Sequence, residues 1–515
     1  MPAPPAGLLA EVTVRAPSAL YASLRGLLPG AGAGAPTHAA LALAAAANLP
    51  LSAANALLLE RPCHAALVSG DGANVGSAVA CRVRSGSELV VALSAGASAE
   101  RRATSDPVTG LTVLASPGAP PLGVVDDFLV ASNDEATLRA VGPYVARALA
   151  ARSLPTEAVV LEVAAPALRG PLERSVRARW EAARDGLAVL AKQAASAEGR
   201  PPDFGDPEQI LAFANERVAM LLELLQSCER LRLTFTPGAA CLELRLALTP
   251  TPGGAADAAT RALVVGSLQP LLSLPRATVG AGLFRFTAAD CECGDDRPAD
   301  AGSPATSASS LQVAKKALGR AFRSVLEQSD GTTVVALGVE RALIVRRQTR
   351  APAASEQALG ELFRAARAPA ISRALEPMLG KLLVREESLS VPGLDGSARR
   401  AELTVQGLGL QQAEVAWAAR GDALWAVGGA GAKQRLAATV AAPEAERLGS
   451  NSAVGPLLAR HEPAAFALLV NSGALTTGAA EPPSLLSFTR RDESAQLVLD
   501  VARADAERLV KVFVR

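Results

Sequence analysis

The chain is 515 residues long, with 50% apolar, 20% charged and 3% aromatic residues and a formal net charge of +1. That balance excludes intrinsic disorder, and near-neutrality with few aromatics removes the cationic footprint and stacking platforms of nucleic-acid binders. Two to four domains fit a prior of about 150 residues each, and three histidines in all (His38, His64, His461) leave little for metal or acid–base chemistry.

From the N-terminus, Met1-Pro-Ala-Pro-Pro-Ala-Gly has neither a basic nor an apolar region, so no export signal is expected in this chain. The longest apolar stretch, Ala39 to Leu59, is alanine-rich and broken by Asn48, Pro50 and Asn55. It reads as two short core helices rather than a transmembrane segment. A hairpin follows around Ser69-Gly-Asp-Gly-Ala-Asn. Centring its register on Gly72 sets Cys63 opposite Cys81, within disulfide reach. This pair, in an even set of six cysteines, favours an oxidising compartment, the periplasm or cell envelope. Small buried hydrophobes in a cytoplasmic protein are the alternative. The pairing of Cys228, Cys241, Cys291 and Cys293 stays open.

Internal similarity is the most informative signal. Leu111-Thr-Val-Leu and Leu403-Thr-Val-Gln are offset by 292 residues, and Asp127 and Asp422, each opening an apolar strand, by 295. A helix follows in both places, Glu135 to Ala150 and Ala432 to Val440. Ala158–Leu168 then matches Ala465–Leu475, and the block from Leu233 matches that from Leu486. Four blocks in the same order read as a duplication. The last offset falls to 253, so the first half carries an extra helical insert at about 171–230. One helix runs from Pro171 to Ala197 around Trp180. The other opens with Asp206-Pro-Glu-Gln, a capping box with proline at the first helical position.

Leu242, Leu244, Leu246 and Leu248 alternate with polar residues as a half-buried strand does, and Leu497, Leu499 and Val501 repeat the pattern. Turns at Pro237-Gly238 and Arg491-Asp-Glu, and a hairpin joining Thr332–Leu337 to Ala342–Arg346, imply antiparallel pairing. A stripe of Leu311, Leu318, Phe322, Val325 and Leu326 predicts a helix with Lys315, Lys316, Arg320 and Arg323 outward. The expected fold is α+β: two pseudo-repeated halves, each a curved antiparallel sheet with helices packed on one face. The halves span 1–250 and 266–515, with a junction at 251–265 and a flexible loop at about 291–310.

Reactive constellations are scarce. Gly428-Gly-Ala-Gly-Ala-Lys433 stands where a phosphate loop would, but lacks the Ser or Thr that follows the lysine. Its counterpart, Ser132-Asn-Asp-Glu, carries carboxylates that repel an anion and reads as a helix cap. Asp126-Asp127 and Gly421-Asp422 read as hairpin turns. His461-Glu462 begins no HExxH motif, because position 465 is alanine. Cys291-Glu-Cys lacks the second ligand pair that zinc needs. Trp180, Trp417 and Trp425 lie on apolar faces and read as core. No catalytic, cofactor or metal residues are assigned, and no cofactor is expected.

At Asp127-Phe-Leu-Val-Ala-Ser and Asp422-Ala-Leu-Trp-Ala-Val the chain resembles a group of large duplicated bacterial secreted proteins and lipoproteins of unknown function. The resemblance implies an envelope location and transfers no site residues. The expected function is a non-enzymatic envelope protein that binds a partner protein or a lipid-like apolar ligand. Two alternatives stand beside it: a hydrolase using dispersed carboxylates and arginines at a cleft between the halves, and a scaffold subunit of a cell-surface assembly.

Overall fold

Short apolar runs punctuated by Gly, Asp and Pro turns fold into antiparallel ladders throughout. The computed structural model describes residues 2–513 except 28–35, 48, 50, 71–73, 96–101, 116–118, 199–206, 287–309, 339–341, 370–381, 391–397, 406–412 and 476–481. The loop expected at 291–310, with Cys291 and Cys293, lies almost wholly outside the described residues, as does the Asp206 cap. Two compact units result: Met1–Ala262 together with Arg491–Arg515, and Leu263–Arg490.

The first unit contains β1 (Leu8–Val14), β2 (Cys63–Ser69), β3 (Val75–Arg82), β4 (Arg102–Ser105) and β5 (Thr112–Ala115). It continues with β6 (Leu122–Val125), β7 (Phe128–Ser132), β8 (Val159–Ala164), β9 (Cys228–Pro237) and β10 (Cys241–Pro250). The second contains β11 (Thr278–Arg285), β12 (Ser329–Gly338), β13 (Leu343–Thr349), β14 (Leu382–Leu389) and β15 (Ala398–Val405). After these come β16 (Ala413–Arg420), β17 (Ala423–Gly428), β18 (Phe466–Val470) and β19 (Ser484–Arg491), and β20 (Ser494–Ala502) returns to the first unit. The C-terminal residues join the first unit, rather than the 266–515 half, because β20 pairs with β10 from Cys241/Ala502 to Leu248/Ala495.

In the first unit the pairing order is β4-β5-β6-β7-β3-β2-β1-β8-β9-β10-β20. In the second it is β14-β15-β16-β17-β13-β12-β11-β18-β19. The β6–β7 and β16–β17 connections are two-residue turns, closed by the pairs Val125/Phe128 and Arg420/Ala423. Each turn begins in the left-handed region, at Asp126 (φ 50°) and Gly421 (φ 58°), which Asp and Gly enter most cheaply.

At the β6–β7 end of the first sheet and the β16–β17 end of the second, helices pack on both faces, not one. Every residue of β6 is buried. Val125 packs with Leu138, Val141 and Tyr144 on one side, while Leu122 and Val124 pack with Leu89 and Leu93 of the Gly86–Ala95 helix on the other. A strand this uniformly apolar leaves no side to solvent. In the second unit Ala416 and Ala418 join the main core, which holds Leu436, Leu457 and Leu458. Between them Trp417 points the other way, fully buried and stacked on Phe363 of the Pro352–Ala366 helix at 4.9 Å.

Cys63 and Cys81 are register partners and form a disulfide, with Cα atoms 4.4 Å apart. The insert folds as the expected helices, Pro171–Glu198 and Pro207–Gln226. The helix expected to reach Ala150 is regular only from Glu135 to Pro143; Tyr144–Leu149 is a π-turn. Pro143 lacks an amide donor, so the ladder loosens there. Among the described residues no helix is long and apolar enough to cross a membrane.

Candidate functional site

β1 and β8 lie side by side in the first unit but pair only from Glu11/Glu162 to Val14/Val159. Beyond Glu11, β1 bulges at Leu9 and β8 runs into the Ala165–Leu168 helix, so the two chains part. A cavity of about 470 Å³ occupies the gap, lined by Leu8, Leu9, Ala10, Val163, Ala164, Ala167 and four prolines, with Glu11, Tyr144, Arg152, Glu162 and Arg230 as its polar groups. A second cavity of about 520 Å³ shares Glu11, Arg152 and Glu162 and adds Thr13, Glu157 and Arg232. Both fall within the volume range of small-molecule sites.

The polar groups form one network. The π-turn brings the buried Tyr144 hydroxyl to Glu11, to which it donates a hydrogen bond. Arg152 donates to both Glu11 oxygens and, through Nη2, to the Tyr144 oxygen at 3.0 Å. One cross-strand row carries Glu11, Glu162 and Arg232. Arg232 donates to Glu157 at 3.1 Å, but its buried Nε stands 3.7 Å from Glu162 and makes no hydrogen bond.

Burial, then the Glu11 carboxylate, pushes the Tyr144 hydroxyl up to about 12. Hydrogen bonding to Glu11 keeps Arg152 protonated beyond its ordinary range. Burial by itself would raise Glu157, yet its own amide, the Thr156 hydroxyl and Arg232 outweigh that and hold it below the usual carboxylate range. These contacts therefore favour the ionised form of Glu157 and the neutral phenol of Tyr144.

A different feature marks the second unit. Phe284, Leu337, Leu343, Leu468 and Val470 share the sheet face opposite the main core and are 37–47% exposed. Gly280 and Gly282 lie between them on β11, and the Phe284 ring lies over Gly282. In the first unit Leu244 and Leu497, on adjacent strands, are 37% and 38% exposed.

Residues singled out in the sequence take structural places. Gly431 is left-handed and starts the Ala432–Ala441 helix, whose first amide donates to Glu414 (3.2 Å), so a carboxylate holds the place of a phosphate. Asp134 caps its own helix through the Thr137 amide at 2.7 Å. Asp126 forms a two-pronged pair with Arg147, and Asp127 accepts from the Gly86 amide. His461 is buried against Ser487, and Glu462 accepts from Ser267 and from the Leu268 amide. His64 is buried beside Thr13, and burial lowers its pKa; His38 is exposed. Cys228 and Cys241 stand at opposite ends of the β9–β10 hairpin, too far apart to join. Burial pushes the Cys228 thiol up.

The Ser310–Glu327 helix is present; among its described side chains Ala321, Val325 and Leu326 are buried, whereas Phe322 is 37% exposed, and the side chains of Leu311, Lys315 and Leu318 lie outside the described ones. Trp180 donates to Asn215 across the helical pair. Among the described residues no group of three or more His, Cys, Asp or Glu is arranged to hold a metal. The Glu11–Tyr144–Arg152 network escapes sequence reasoning because Tyr144 lies 133 residues from Glu11. Its one local signal is the carboxylate inside the strand Leu-Leu-Ala-Glu-Val-Thr-Val.

No protein-family model matches the chain, and no curated protein does. Among solved structures, crystal form IV of TP0453 aligns with 48% of this chain and 81% of its own, at 9% identity and a TM-score of 0.23. Form III aligns with 51% and 89%, at 9% identity and a TM-score of 0.24. Scores this low carry no argument about fold or function.

Proposed function

We propose that the chain is a non-enzymatic binding protein of the bacterial envelope, built by duplication of one α+β unit, whose uncovered sheet faces hold a lipid-like apolar ligand. The duplication is supported by the two strand orders, which correspond from the fourth strand of each unit to the ninth, and by the similar blocks along the sequence. The Cys63–Cys81 disulfide supports an oxidising compartment. One observation carries the binding reading: five large apolar side chains, 37–47% exposed, sit together on one sheet face of the second unit.

A fluorescent single-chain fatty acid, titrated into the full chain, tests this reading. Saturable binding that falls about tenfold in Leu468→Gln supports it. Absence of binding, or binding indifferent to that substitution, contradicts it. The hydrolase alternative is favoured only by the carboxylate–arginine cluster, and that cluster lies within the first unit. Glu157, displaced downwards, is poised opposite to a general acid.

A further inference from the structure

We propose that the two adjoining cavities of the first unit form a single two-chamber site for a single-chain amphiphile with a zwitterionic head. This site is separate from the sheet face of the second unit and rests on the reading of the chain as a binding protein only in its general class. The parting of β1 and β8 makes a chamber walled by leucine, alanine, valine and proline, which suits a hydrocarbon chain. Glu11, Arg152 and Glu162 belong to both cavities, so the two chambers adjoin at these side chains and the head of a ligand seated there lies beside them.

Charge selects the head. Together the chambers present three carboxylates, Glu11, Glu157 and Glu162, and three guanidiniums, Arg152, Arg230 and Arg232. Within this set Arg152 holds Glu11 and Arg232 holds Glu157, which leaves Glu162 on the acidic side and Arg230 with the Nε edge of Arg232 on the basic side. A zwitterion answers both sides. The Arg232–Glu162 pair shows where: the buried Arg232 Nε has no hydrogen-bond acceptor, and Glu162 stands 3.7 Å away. An anionic oxygen on Arg232 and an ammonium on Glu162 would satisfy both at once.

The test uses the full chain and four probes below their micelle concentrations: lysophosphatidylethanolamine, lysophosphatidylglycerol, dodecyltrimethylammonium and free phosphoethanolamine. Calorimetric titration should give about tenfold tighter binding of the zwitterionic lipid than of either singly charged one, and no detectable binding of the bare head group. Arg232→Gln should abolish that preference, and Ala164→Trp, at an exposed position in the chain chamber, should remove binding while the circular dichroism spectrum is retained. Leu468→Gln should leave this preference intact, which separates it from ligand uptake on the second unit. Equal affinity for the anionic and zwitterionic lipids, or unchanged binding in folded Ala164→Trp, would overturn the proposal.

Discussion

Where the first, eighth and ninth strands of the first unit cross, the row reads Glu11, Glu162, Arg232; counted outward from the matching hairpin turn, the second unit's row reads Ala281, Leu469, Leu485. The second row is sealed. Leu271, Leu448, Val454 and Leu458 belong to the same core, delivered by 3-10 turns and the Val454–His461 helix. In the first unit the corresponding stretch before β8 holds only a π-turn and a short coil, and cavities remain. On the opposite face the roles reverse. Leu161 and Leu231 pack beneath the first unit's helices, with Leu172, Leu224 and Leu225, whereas only residues 471–483 join β18 to β19 and Leu468 stays half-exposed. One strand order thus supports two surfaces, and the length of the connection on each side decides which face is closed.

The largest effect should come from moving the polar row into the sealed unit. Leu469→Glu buries a carboxylate without a partner and should cost about 3–5 kcal/mol. Chemical denaturation should show the loss in the second unit's transition alone; a smaller loss would mean that water or a cation reaches that position.

Reduction comes next. Cys63–Cys81 occupies the ladder position that Thr333 and Arg347 hold in the second unit, where Arg347 Nη1 donates to Thr333 at 2.5 Å. Closing a loop of 18 residues stabilises by about 3 kcal/mol, so reductant should lower the first unit's transition by that amount and spare the second. Burial pushes the Arg347 guanidinium down to about 10.

Tyr144→Phe removes one hydrogen bond to a carboxylate that Arg152 still holds, and should cost about 1–2 kcal/mol. The phenol also fixes a pH dependence. Its folded value of about 12 exceeds the ordinary 10, so the native state holds the proton more tightly. That stabilisation is full below pH 10 and is lost as pH rises towards 12. Phenolate absorbance of the native chain, compared with that of Tyr144→Phe, should assign to Tyr144 a titration well above 10; a Tyr144 titration at the ordinary 10 would dissolve the network.

The smallest effect on stability belongs to Leu468→Gln. At an exposed site it should shift stability by no more than about 0.5 kcal/mol while weakening ligand binding, which thermal melts and titrations together check.

Much of this architecture is legible in local chemistry. Alternating Leu242–Leu248, the Pro237-Gly238 turn and the Cys63/Cys81 register each depend on neighbours within one hairpin, and each is found as expected. The opening of Pro207–Gln226 likewise follows from a proline at its first position. Helices on both faces are less legible, because a strand such as Leu-Gly-Val-Val gives burial without saying what buries it. The cavities are legible least. They depend on where β1 and β8 stop pairing, and the Tyr144–Glu11 contact depends on a π-turn that no periodicity announces.

Carbene footprinting of the whole chain, with and without a single-chain lipid, confronts the contrast between the units most directly. Phe284, Leu468 and Val470 should label strongly alone and become protected by lipid, while Ala281, Leu469, Leu161 and Leu231 label weakly throughout. Equal labelling of both faces of the second unit, or lipid protection absent from all three exposed residues, would contradict the account.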